Sequence, residues 1–255
     1  MDGNLASRSG VVSGMRRMIG ATLLLTTAVA FAPEPDATKV QPVASAPTTP
    51  IPTPVASSSG SAASKFSGSV APLDAATRAR MTFSWRAGCP VPLKDLRILR
   101  MTHLGFDGRV HAGELVVHED HAGAVLGVFR ALFDAEFPIE RMELVDVYEG
   151  DDDRSMAANN TSAFNCRPST GSPGEWSQHS YGLAIDINPV QNPYVTKSGS
   201  VDPPKGAAYV ERSTKAPGVI HRDDSVVQAF ARIGWEWGGD WTSAKDYQHF
   251  SANGL

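Results

Sequence analysis

The sequence predicts an α+β domain at residues 73–255, on three observations. Apolar residues recur at helical spacing in two separate stretches. Short alternating or β-branched runs lie between and after them, and no internal repeat orders them into β-α-β units. A hydrophobic content of 42% and a charged content of 20% are those of an ordinary soluble globular chain.

Two appendages precede this domain. Residues 1–32 form an N-terminal extension followed by a signal peptide or anchor. Arg16 and Arg17 lead an apolar run from Met18 to Phe31, closed by the small residues Ala30 and Ala32. The run is short for a membrane span, so export with cleavage and retention as a membrane tether both stay open. Residues 33–72 predict a disordered tether, because Pro, Ala, Ser and Thr dominate and seven of the 18 prolines fall between Pro33 and Pro54. In either case the domain is expected outside the cytoplasm, secreted or in the cell envelope.

Within the domain, "LVVHEDHAGAVLGVFRALFDAEF" predicts an amphipathic helix with Val117, Ala124, Val125, Val128, Leu132 and Phe133 inward. "IERMELVDVY" predicts a strand through Met142, Leu144, Val145 and Val147. The polar, turn-rich stretch 149–176 predicts a long surface loop. "YGLAIDINP" predicts a short strand with Leu183, Ile185 and Ile187 on one face and Ala184, Asp186 and Asn188 on the other. "DDSVVQAFARIGW" predicts a helix begun by Asp and Ser and ended at Gly234.

The formal net charge of −4 and the absence of any Lys/Arg run exclude a nucleic-acid-binding surface of the usual kind. Cys89 and Cys166 are the only cysteines. In an exported chain they predict a disulfide closing a loop of roughly eighty residues, for which chain entropy gives about 4 kcal/mol. Two buried free thiols are the alternative.

Of seven histidines, His118 and His121 form "HEDH", with a spacing of three instead of the four of a zinc helix. His103, His111 and His221 sit in turn-like surroundings. His179 and His249 differ, because each comes with a carboxylate. Asp186 projects from an apolar strand and needs a partner there, since a buried unpaired charge is costly. Gly182 lets the chain turn His179 back over the face bearing Asp186. His179, Asp186 and His249 would supply three ligands to zinc, leaving a fourth position for water. Asp246, three residues before His249, would stand beside that water as general base. Alternatively, Asp186 accepts ordinary hydrogen bonds and His249 is a surface residue.

The order S-x-H-x-x-G-x-A-x-D (Ser177, His179, Gly182, Ala184, Asp186), then Trp237-Gly238-Gly239-Asp240-Trp241, then Asp246 and His249, resembles the zinc D-alanyl-D-alanine carboxypeptidase family. The likeness is strongest for the branch containing the L-alanyl-D-glutamate peptidases of phage endolysins. The resemblance implies Zn2+ held by His179, Asp186 and His249, with Asp246 catalytic. It implies a small antiparallel sheet with flanking helices, as in hedgehog domains, and peptidoglycan peptides as substrate. The family carries an Arg and a Ser that hold substrate ahead of the first ligand. Here Arg154 and Ser155 are the nearest match, displaced by an acidic insertion, and Arg167 is a further candidate for a peptide carboxylate. Each arginine is equally compatible with a solvated loop charge. Asp240 would either receive a ligand histidine's free N–H or close its own turn. The expected activity is hydrolysis of peptidoglycan stem peptides; the alternative is a non-catalytic, zinc-containing wall- or receptor-binding domain.

Overall fold

The computed structural model of the chain describes residues 65–255 apart from Gly171 and Pro173. The expected signal or anchor and most of the expected tether lie outside the described residues. The tether's end at 72 is corrected. Gly68–Pro72 is strand β1, paired antiparallel with β2 (Leu96–Leu104) from Gly68↔Met101 to Pro72↔Arg97. Backbone hydrogen bonding to an open sheet edge holds this mostly exposed strand, and composition does not report that. Helix α1 (Ala75–Arg80) follows, its N-cap Asp74 accepting from the Thr77 N–H at 2.7 Å.

Strand β2 pairs antiparallel with β3 (Val110–His118), from Leu96↔His118 to Leu104↔Val110. The connecting turn closes with the Gly105 N–H donating to Arg109 O. Helix α2 (Glu119–Asp134) packs against this sheet through Ala122, Val125, Val128, Phe129 and Leu132, a spacing of three and four. Val117 belongs to β3, opposite Arg97, and not to the helix. His118 ends the strand and caps the helix, its Nδ1 accepting from the Asp120 N–H.

The expected strand at 139–148 shrinks to β4 (Arg141–Met142), followed by a 3-10 turn at Val145–Tyr148. The expected surface loop at 149–176 is also corrected. It contains α3 (Asp152–Ala157) and β5 (Asn160–Thr161), and its residues 159–166 are buried. Their polar side chains are internally satisfied: Asn160 Oδ1 accepts from the Glu143 N–H, and its amide donates to Glu143 O and Ser155 Oγ.

A second sheet has the order β6-β11-β9, all antiparallel, from β6 (Ala184–Asp186), β9 (Glu236–Trp237) and β11 (His249–Ser251). Between β6 and β9 the chain makes β7 (Tyr194–Val195) and β8 (Val201–Asp202). It then makes helix α4 (Ser225–Ala231), which Asp224 caps through the N–H groups of Val226 and Val227. β10 (Lys245–Asp246) pairs with β7. Helices α2 and α4 close over one hydrophobic core that includes Ile185, Ile187, Phe230 and Phe250, the last two stacked at 4.1 Å. Leu183, expected beside the two isoleucines, is only half-buried. A second core lies beneath β2 and β3 and contains Cys166. Among the described residues no helix is long and apolar enough to cross a membrane.

Candidate metal centre

The site forms where β6, β11 and a 3-10 turn meet. Asp186 ends β6, and His249 begins β11 directly opposite it in the antiparallel register. His179 sits on the 3-10 turn Gln178–Tyr181, which Ser177 caps and Gly182 ends at φ +68. A Cβ on Gly182 would stand 2.6 Å from the backbone nitrogen of His118, so the turn needs glycine for space as well as for its dihedral.

The three side chains are buried, at 3% exposure for His179, 4% for Asp186 and 6% for His249. His179 Nε2 lies 3.1 Å from Asp186 Oδ2, His249 Nδ1 lies 2.9 Å from Asp186 Oδ1, and the two imidazole nitrogens are 3.3 Å apart. One candidate ligand atom from each residue falls within 4.8 Å of the others. The outward nitrogens fix the tautomers. His179 Nδ1–H donates to Ala163 O at 2.6 Å and His249 Nε2–H to Leu255 O at 3.0 Å. With the outer protons committed, a neutral pair turns two lone pairs and a carboxylate toward one point. Such a set is self-repelling unless a cation or protons occupy the centre, so these donors fit a metal ion.

Metal-free, the charges show the same demand. Burial works against ionised Asp186, yet the charges and hydrogen bonds of His179 and His249 hold its carboxyl well below the usual range. Burial also opposes charge on His249, but its hydrogen bond to Asp186 and that residue's charge raise it to about 9.

Asp246 stands outside the trio, on β10 opposite Tyr194. Its Oδ1 is sealed from solvent and has no hydrogen-bond partner. Burial, with the Asp186 charge added, raises its carboxyl to about 7 against the opposing pull of His249. Gly238 backs this residue: a Cβ there would lie 2.7 Å from Asp246 O and 2.9 Å from Asp246 Cβ.

The Cys89–Cys166 pairing is as expected, whereas the polar residues expected around the trio make contacts of their own. Asp240 is corrected: its Oδ1 pairs with Arg222 Nη2 at 2.7 Å, and neither ligand histidine donates to it. The groups holding those histidines are backbone carbonyls, which no side-chain pattern announces. Arg154 pairs with Glu149 at 2.6 Å on an exposed face. Ser155 is buried, its hydroxyl accepting from the Asn160 amide at 3.1 Å. Arg167 pairs with Asp152 at 2.7 Å, and its backbone N–H donates to the hydroxyl of Ser180, next to His179. Cys89 and Cys166 form a disulfide, with Cα atoms 5.9 Å apart, across a separation of 77 residues. Trp235 and Trp237 are core residues, whereas the half-buried Trp241 lies against the His249 ring at 5.6 Å.

Residues 170–252 match the protein family described as D-alanyl-D-alanine carboxypeptidase. The matched segment contains all of the trio and Asp246. No solved structure matches the chain.

Proposed function

We propose that the protein, whose residues 170–252 match the family described as D-alanyl-D-alanine carboxypeptidase, is an exported zinc peptidase that hydrolyses peptidoglycan stem peptides. The observation that carries this reading is the buried convergence of His179, Asp186 and His249, with the Asp246 carboxylate nearby keeping one oxygen, Oδ1, without a hydrogen-bond partner. A zinc-containing binding domain would need the trio but not Asp246.

His179 Nε2, His249 Nδ1 and the Asp186 carboxylate would hold the ion. When bound, zinc supplies Lewis-acid chemistry, polarising a carbonyl and making water acidic near neutral pH. The chain's own residues do the rest. Ala163 O and Leu255 O keep the two rings in the tautomers that present lone pairs inward. Asp246 Oδ1 has no competing hydrogen bond, so it is free to take the proton of the attacking water and return it to the leaving amine. Its carboxyl, raised to about 7, exchanges protons near neutral pH. Arg167 is the remaining candidate for a peptide carboxylate, once its pairing with Asp152 opens. The signal-like N-terminus and the disulfide support an extracytoplasmic location.

The test is digestion of purified peptidoglycan fragments followed by mass spectrometry, with zinc measured on the same protein. Expected are about one zinc per chain and a defined stem-peptide product. A protein that carries zinc and binds wall fragments but cuts none would overturn the enzymatic reading in favour of a binding domain.

A further inference from the structure

Next to the site runs an extended segment, Ser162–Arg167, that touches one side of both β6 and the His179 turn. Ser162 exchanges backbone hydrogen bonds with Asp186 at 3.0 and 2.9 Å. Ala163 O accepts the His179 ring proton, and the Asn165 N–H donates to His179 O at 3.2 Å. Alternate residues face the other way. The Phe164 N–H donates to Val116 O at 3.1 Å and the Cys166 N–H to Ser84 O at 2.9 Å, while Cys166 O accepts from Arg86. The segment is thus gripped between the His179 turn and the second core, and the disulfide pins its far face to Cys89.

On the near face one side chain closes the contact. Ser180 is fully buried. Its hydroxyl accepts from the Arg167 N–H at 2.9 Å and turns its proton toward Arg167 O at 2.8 Å, with Asn165 O also in reach at 3.2 Å, a clasp on the segment's backbone. Alanine at 180 would leave the Arg167 N–H without this partner, while Arg167 O would keep only the Ser177 N–H at 3.1 Å. The Ala163 carbonyl, four residues back, would then be held against the His179 ring with one clasp fewer on its segment.

We propose that Ser180 is a positioning residue of the metal centre: its hydroxyl and the Cys89–Cys166 disulfide together hold residues 163–167 so that Ala163 O fixes the tautomer and aim of His179. The proposal rests on the reading of His179 as a metal ligand, yet part of its test needs no metal. Loss of such an outer contact costs about 10–100-fold in metal affinity.

The experiment compares the full-length protein with Ser180→Ala. Zn2+ affinity is measured by chelator competition, and the histidine ring nitrogens of the metal-free proteins are assigned by long-range 1H–15N NMR. Expected are a folded variant, affinity lowered about 10–100-fold, and a His179 Nδ1 that carries its proton in the parent but only in part in the variant. A merely structural serine would lower the melting temperature and leave the tautomer alone. A folded Ser180→Ala with parental affinity and tautomer overturns the proposal. Should Ser180→Ala not fold, Cys89→Ser with Cys166→Ser takes its place: weakened affinity and a mixed tautomer support the proposal, and parental values overturn it. If the parent takes up no Zn2+, the metal reading fails, and the tautomer comparison alone decides the positioning role.

Discussion

Asp246 and the trio divide the labour by what surrounds each carboxylate. Asp186 is flanked by two imidazoles and stays ionised, while Asp246 is half-buried, its sealed Oδ1 has no hydrogen-bond donor, and its carboxyl is raised to about 7. Asparagine has almost the shape of aspartate but cannot take a proton. Asp246→Asn is therefore expected to keep zinc and fold while losing hydrolysis by about 10²–10⁴-fold, read from turnover on a stem peptide alongside metal content. Parental turnover would remove Asp246 from the base role. His249 gives a second prediction at this scale. Its metal-free pKa of about 9 means that it carries a proton at pH 7.5, and ligation requires that proton to leave. Zinc binding at pH 7.5 should release close to one proton from this ring, measured as the dependence of calorimetric binding enthalpy on buffer ionisation enthalpy.

At the scale of elements, the short ones carry the chemistry and the long ones carry the core. The His179 turn has four residues and its stop is Gly182, in the left-handed region and in contact with the His118 backbone. Gly182→Ala adds a strained dihedral, about 1–3 kcal/mol, and a clash with backbone that cannot retreat easily. The expected result is a loss of at least that much in urea denaturation together with reduced zinc occupancy. The disulfide acts on the neighbouring segment. Its removal from a domain of this kind costs about 2–5 kcal/mol. Thiol labelling of the protein purified without reductant, under denaturing, non-reducing conditions, should find no free cysteine, and two labelled thiols would contradict the bridge.

For the molecule as a whole, the proposed metal would compete with protons for one buried centre, and the pKa shifts give the sign. In the metal-free protein, Asp186 is depressed, so its contribution exists above the ordinary carboxylate pKa near 4 and is lost as pH falls below it. His249, raised to about 9, contributes fully below about 6.5 and loses that contribution as pH rises through 9. Asp246, raised to about 7, likewise favours the folded state less as pH climbs from about 4 through 7. Metal-free stability should therefore peak on the acid side of neutrality and decline toward pH 9. Zinc at the proposed site is expected to reverse the trend, because its ligands bind in their deprotonated forms. Calorimetry should show the melting-temperature gap between zinc-loaded and chelator-treated protein widening from pH 6 to 9. A gap that narrows would contradict the charge assignment.

The chain's order of residues determined the chemical parts by itself. A histidine and an aspartate around a glycine turn, an aspartate three residues before a second histidine, and a single pair of cysteines are legible because side-chain type and local spacing are written in sequence. The same holds for α2 and α4, whose apolar residues repeat at the helical period. Tertiary structure decided what those parts touch. Asp240 turned to Arg222 and away from the histidines, Ser155 went inside, and the polar stretch after Tyr148 became a buried cradle for His179. The physical reason is that the deciding partners are backbone carbonyls and strand edges. Every residue carries the same backbone groups, so only the path of the chain selects which of them a side chain meets.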